Sequence, residues 1–173
     1  MTEKRPTIIG VYGKAGVGKT LLINKVAKVL EEQYAIATVT DGIFTLNNVT
    51  CDLCQTQKID KFTQEQTNLL SDLVEIIFVE IPANGWDKFD IKISVLDARE
   101  REIAPVAEDE LVLLNKIDLA TIMELNLVDL KKKFELNTQA KNILLTDIKN
   151  GQGLHNIVYR IQKTVNKLQK EAN

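Results

Sequence analysis

Apolar residues occur along this chain in short, nearly unbroken blocks, separated by longer stretches where they return every third or fourth position. The blocks predict strands at 7–12 (TIIGVY), 34–40 (YAIATVT), 75–80 (EIIFVE), 91–96 (IKISVL), 110–114 (ELVLL) and 142–146 (NILLT). Runs this continuously apolar suit strands covered on both faces. The longer stretches predict helices at about 19–32, 63–73, 121–136 and 152–170. In the last of these, Leu154, Ile157, Val158, Ile161, Val165 and Leu168 form one packing stripe. Strand and helix alternate, which predicts an α/β fold of three layers: a mostly parallel sheet with helices on both faces. Residues 41–60 and 81–90 fit neither period and are expected to be irregular loops. Both follow strands, and ligands in open α/β folds bind beyond the carboxyl ends of strands.

Composition narrows the class without changing this picture. The chain has 173 residues, enough for a single domain spanning 1–173. It is 45% hydrophobic and 27% charged, as an ordinary globular domain is. A net charge of -2 gives no electrostatic reason to expect nucleic acid as a partner. The basic run Lys131-Lys132-Lys133 reads as a solvated helix face. No apolar stretch approaches the ~20 residues of a membrane span, and the first residues lack the pattern of a secretory signal. Two cysteines, Cys51 and Cys54, are too few for a disulfide scaffold. A cytoplasmic protein with reduced thiols and no membrane contact is expected.

Between the first strand and the first helix stands Gly13-Lys14-Ala15-Gly16-Val17-Gly18-Lys19-Thr20. It fits the phosphate-loop pattern G-x-x-x-x-G-K-[ST], in the strand–turn–helix setting the motif needs. Glycines let the backbone curl so that successive N–H groups point at phosphate oxygens. The following helix adds the positive end of its dipole. Lys19 is expected to reach the β- and γ-phosphates, the Thr20 hydroxyl to ligate Mg²⁺, and the binding stretch to extend to Leu21. A second motif, Asn115-Lys116-Ile117-Asp118, ends another apolar strand. It matches the guanine-reading N-K-x-D. The Asp118 carboxylate can accept hydrogen bonds from guanine N1–H and N2–H₂, a donor pair adenine lacks, so GTP is expected over ATP. Lys116 would lie along the base plane, and Asn115 would tie this loop to the phosphate loop. Thr146 and Asp147, just past the last strand, can offer backbone groups to the base. The nearby Asn150-Gly151-Gln152-Gly153 also reads as the turn before the final helix.

With these stretches in order, "GKAGVGKTLLINKVAKVL", "YAIATVTDGIFT", "EIIFVE", "VLDARE", "LLNKIDLA" and "LLTDIKNGQGLHNI", the sequence resembles the dimerising SIMIBI class of P-loop GTPases. Within it the likeness is to the urease accessory and hydrogenase maturation GTPases that deliver nickel. The resemblance implies a three-layer P-loop NTPase fold, slow GTP hydrolysis with Mg²⁺ and a homodimer in the GTP state. It also implies delivery of a transition metal to a client metalloenzyme or its accessory proteins. Lysines at the position of Lys14 in the wider class reach the partner's nucleotide; an ordinary exposed lysine is the alternative here. By the same resemblance, Asp41 falls near the switch-one magnesium aspartate, although Asp41-Gly42 also reads as a turn. Glu80 takes the place of the second acidic group at the magnesium site, helping to orient the attacking water. Lys19, Asp41 and Glu80 are then the catalytic candidates, with Thr20, Asp41 and Glu80 around Mg²⁺. The glycine-rich continuation expected after Glu80 reads Ile81-Pro82-Ala83-Asn84-Gly85-Trp86.

The family's Cys-Pro-His or Cys-His nickel pair is absent, and the single histidine, His155, reads as a surface residue. In roughly the expected region stands Cys51-Asp52-Leu53-Cys54. Two thiolates cannot complete a four-ligand site, but the same pair presented twice across a twofold axis can. Thiolates suit Zn²⁺ and can hold Ni²⁺ in a planar arrangement. A redox pair and two ordinary loop thiols are the competing readings. At the level of the whole protein, a GTPase chaperone without metal cargo and a non-catalytic GTP-binding module stand as alternatives. A Ras-like switch fits less well, because its strand normally ends in Asp-x-x-Gly rather than Glu80-Ile81-Pro82.

Overall fold

Strands buried on both faces must send alternate side chains to two different helical layers, and the apolar blocks of this chain do so. The computed structural model describes residues 5–47, 56–58, 64–81, 88–100, 111–137 and 142–171. In chain order the elements are β1 (Thr7–Tyr12), α1 (Lys19–Leu30), β2 (Ile36–Thr40), β3 (Ile43–Asn47), β4 (Thr56–Lys58), α2 (Gln64–Leu70) and β5 (Ile76–Glu80). Then follow β6 (Ile91–Asp97), β7 (Leu111–Asn115), α3 (Ile117–Ile122), α4 (Leu127–Asn137), β8 (Asn142–Leu145) and α5 (Leu154–Glu171). Among the described residues the sheet has eight strands in the order β4-β3-β2-β5-β1-β6-β7-β8. All neighbours are parallel except the β2–β3 and β3–β4 pairs.

On one face Ile9, Val11, Ile76, Phe78, Ile93 and Val95 pack with Leu22, Ile23 and Val26 of α1 and Ile157, Ile161 and Val165 of α5. On the other, Ile8, Ile77 and Val79 meet Leu70 and Val74 at the end of α2. Further along that second face, Val112, Leu114 and Ile143 enclose Phe134 of α4. These are the expected three layers. Because β1 lies between β5 and β6, the chain leaves it toward one side of the sheet and later crosses to the other. The crevice above the end of β1 is therefore the fold's switch point, and the phosphate loop begins there.

Two expectations need correction. Residues 41–60 are not uniformly irregular: β3 and β4 extend the sheet as antiparallel strands. Asp41 and Gly42 both have positive φ, 49° and 71°, and Thr40 pairs with Ile43 across them. This is the two-residue hairpin that Asp-Gly favours. The helix expected over 121–136 is two helices, with α3 starting earlier and α4 separate. Glu124 turns to φ 57° between them, and the Asn126 side chain accepts the N–H groups of Val128 and Asp129 as the cap of α4. The basic run lies on α4, with Lys131 paired to Glu135 one turn on and Lys132 and Lys133 exposed. No described helix is long and apolar enough to cross a membrane.

Phe134 is fully buried and is the aromatic anchor of α4. Phe134→Ala is expected to lower stability by about 3–5 kcal/mol, measured by urea unfolding. A loss below 1 kcal/mol would mean that α4 is not held through this side chain.

Candidate nucleotide site

The phosphate loop is shaped by contacts that exclude side chains. Gly13 has φ 147°, and a Cβ there would stand 2.4 Å from the Val95 carbonyl oxygen. Gly18, at φ 107°, forms the N-cap of α1; a Cβ on it would lie 2.7 Å from Nδ2 of Asn115. Both positions therefore require glycine, for backbone conformation and for space. Lys19 begins α1 and is 9% exposed. Its Nζ curls back to donate to the Lys14 carbonyl oxygen at 3.1 Å and lies 3.5 Å from Glu80 Oε1. The Thr20 hydroxyl donates to Glu80 Oε2 at 2.7 Å. Lys19, Thr20 and Glu80 are thus gathered at one corner, at the carboxyl end of β5 beside the start of α1. A hydroxyl and a carboxylate are hard oxygen donors, a set that fits Mg²⁺ rather than a soft metal.

Asn115 joins this corner to the second motif. Its side chain sits in a residue only 4% exposed, with Nδ2 donating to the Val17 carbonyl oxygen at 2.8 Å. Oδ1 accepts from the Ile148 N–H at 3.0 Å and, more weakly, from the Thr146 hydroxyl at 3.4 Å. One amide therefore fastens the phosphate loop, β7 and the segment after β8. Lys116 follows in the left-handed region, φ 66° and ψ 39°. A non-glycine residue there costs roughly 1–3 kcal/mol and persists where neighbours fix it. Lys116 Nζ donates to Asp97 Oδ2 at 3.0 Å. Asp118 stands in the first turn of α3, half-buried.

The remaining candidates divide. Lys14 donates to Glu100 Oε2 at 2.9 Å, so its ammonium is held within its own chain. Ala15 and Gly16 are exposed at the loop's tip, Val17 is buried beneath it, and Leu21 is partly exposed on α1. Asp41 is exposed in the hairpin turn and is not brought to the Lys19–Thr20–Glu80 corner by any hydrogen bond or ion pair among the described residues. The N–H groups of Thr146 and Asp147 donate to the Leu114 and Gln152 carbonyls at 2.8 and 3.1 Å. The same segment braces Asn115 through the Thr146 hydroxyl and the Ile148 N–H. His155 is exposed, as expected. Cys51, Cys54 and residues 82–87 lie outside the described residues.

Sequence reasoning assigned no role to Asp97, Arg99 and Glu100, the turn after β6. Arg99 binds the Asp97 carboxylate through Nε at 2.8 Å and Nη2 at 2.6 Å. Those bonds, with the Lys116 ammonium, hold the Asp97 carboxyl well below the usual carboxylate range despite burial. The signal was available. A carboxylate closes the apolar strand β6 at Asp97, just as one closes β5 at Glu80.

The KAP family P-loop domain matches residues 1–172, and the chain belongs to that family. The urease accessory protein UreG of Ureaplasma parvum serovar 3 is 24% identical over 196 residues, spanning 92% of this chain and 95% of that protein. Two solved structures share the fold. Hydrogenase maturation factor HypB from Archaeoglobus fulgidus superposes with a TM-score of 0.64 at 16% identity, over 91% of this chain and 88% of that one. HypB from Helicobacter pylori in complex with nickel gives 0.60 at 11% identity, over 95% and 89%. The resemblance to urease accessory and hydrogenase maturation proteins is borne out.

Replacing Asn115 by Ala leaves a buried carbonyl and a buried N–H without partners. Asn115→Ala is expected to cost about 1–3 kcal/mol in nucleotide-free protein, read by denaturant unfolding. An unchanged midpoint would show that the two loops do not depend on this amide.

Proposed function

We propose that this member of the KAP P-loop family binds and slowly hydrolyses GTP, and that its GTP-state homodimer carries a transition metal, nickel in the first instance, to a client metalloenzyme. The observation that carries the nucleotide half is the corner of Lys19, Thr20 and Glu80, tied through Asn115 to an N-K-x-D loop. The phosphate-loop N–H groups and the start of α1 receive the phosphates. Lys19 exchanges its carbonyl partner for β- and γ-phosphate oxygens. Thr20 and Glu80 hold Mg²⁺, which supplies charge neutralisation on the transferred phosphoryl group when bound. Glu80 also orients the attacking water. Asp118 accepts the two donors of the guanine edge, Lys116 lies along the base, and Asn115 holds the base loop in register with the phosphates.

The metal half is supported by the likeness to UreG and to HypB solved with nickel. On this chain, Cys51 and Cys54 are the soft donors, and a twofold dimer doubles them to four. GTP closes the dimer and completes the site; hydrolysis opens it and releases the ion. Client contacts then select the recipient enzyme.

Two substitutions test the halves separately. In Asp118→Asn the acceptor oxygen becomes an amide donor, which suits the C2 carbonyl of xanthine. GDP affinity is expected to fall at least about 10²-fold while xanthosine diphosphate gains, by titration calorimetry. Equal affinities for GDP before and after the change would remove Asp118 from base selection. Cys51→Ser with Cys54→Ser is expected to abolish nickel or zinc binding and leave GDP binding intact. Retained metal would refute the shared thiolate site, and an unaltered protein that binds neither metal would favour a chaperone without metal cargo.

A further inference from the structure

Asp118 has two cationic neighbours that are natural partners for a carboxylate, yet among the described residues it accepts no hydrogen bond. Lys116 is two positions before it on the same loop, and Arg99 is close enough for the two charges to interact. Either cation, paired to Asp118, would occupy the oxygens a guanine edge needs. Both are held elsewhere. Asp97 Oδ1 accepts from Arg99 Nε at 2.8 Å and from the Arg99 N–H at 3.0 Å. Asp97 Oδ2 accepts from Arg99 Nη2 at 2.6 Å and from Lys116 Nζ at 3.0 Å. The Asp97 side chain is 12% exposed, against 39% for Arg99 and 28% for Lys116. Asp97 is buried where Asp118 is half-buried, and the better-shielded carboxylate takes both cations, Arg99 in the fork geometry that suits a guanidinium.

We propose that Asp97 is a positioning residue for base selection, the counter-ion that keeps Arg99 and Lys116 off Asp118 and leaves that carboxylate open to a guanine edge. The inference rests on the assignment of guanine reading to Asp118. Its backbone setting is rigid: Asp97 pairs with Asn115 in the β6–β7 register, and the Ala98 N–H donates to the Asn115 carbonyl at 2.8 Å. The counter-ion and the base loop therefore sit on adjacent, directly bonded strand ends. Without the Asp97 charge, Arg99 is released to pair with Asp118, and the guanidinium then competes with the base for that carboxylate.

The test uses the full chain with Mg²⁺, titrated with GDP, inosine diphosphate and ADP. Hypoxanthine lacks the N2 amino group, so the GDP-to-IDP affinity ratio reads how freely Asp118 accepts from it. Asp97→Asn is nearly isosteric and is expected to lower that ratio about tenfold. Asp97→Asn combined with Arg99→Ala is expected to recover most of it, because the competing guanidinium is gone. Arg99→Ala alone, at a partly exposed side chain, is expected to keep the ratio or raise it, and it serves should Asp97→Asn fail to fold. An unchanged ratio in Asp97→Asn, no recovery in the double variant, or a lower ratio in Arg99→Ala would each overturn the proposal. A purely structural Asp97 would weaken all three nucleotides alike and would not be rescued by removing Arg99. Equal affinity of the wild-type protein for GDP and ADP would contradict guanine reading itself, a failure visible before any variant is made.

Discussion

The functional end of this molecule depends on one buried amide. Asn115 gives its donor to the phosphate loop and its acceptor to the segment after β8, linking parts of the chain 98 and 33 residues away. A hydroxyl is too short to span that gap, and a carboxylate has no proton for the Val17 carbonyl. Gly18 is the other half of the device, since a side chain there would meet the Asn115 nitrogen. Two motifs that look independent in sequence are therefore one structural unit. Its energetic stake is high because buried polar groups must be satisfied by the protein itself.

Around this amide the strand ends divide the chemistry. β5 ends in Glu80, β6 in Asp97 and β7 in Asn115, with the phosphate loop leaving β1 between the first two. Each carboxylate is matched to cations or donors nearby: Glu80 to Lys19 and Thr20, Asp97 to Lys116 and Arg99, Glu100 to Lys14. On the proposed function, a nucleotide brings phosphates and a base into a corner where the partners are already aligned, and Lys19 needs only to exchange one acceptor for another. Such preorganisation lowers the cost of ordering side chains on binding. The apolar layers beneath provide the rigidity, because alternate residues of each central strand are locked into different helices.

Much of this was legible in the sequence where the signal is local. The apolar blocks gave the six parallel strands within a residue or two, and the phosphate loop announced itself by its glycines. The turn before β3 was also legible, since Asp41-Gly42 reads as a turn in the sequence, but the strand pairing on either side of it was not. The break between α3 and α4 was carried by Asn126, a good cap, but the apolar period runs through it. Asp97 closes an apolar strand and has Arg99 two residues on, both local features, but its second partner Lys116 lies 19 residues on and no spacing rule joins them. The backbone pairing of Thr146 and Asp147 to Leu114 and Gln152 was not legible either, since it is a matter of register rather than residue type.

In the proposed cycle nucleotide state, assembly and metal binding are a single variable, so one experiment should read all three together. Reduced protein is mixed with Mg²⁺ and either a non-hydrolysable GTP analogue or GDP. Ni²⁺ and Zn²⁺ are supplied separately, and solution mass and metal content are determined on the same sample. The expected result is a dimer holding one metal ion per two chains with the GTP analogue, and a metal-free monomer with GDP. A mass and metal content that do not change between the two nucleotides would contradict it.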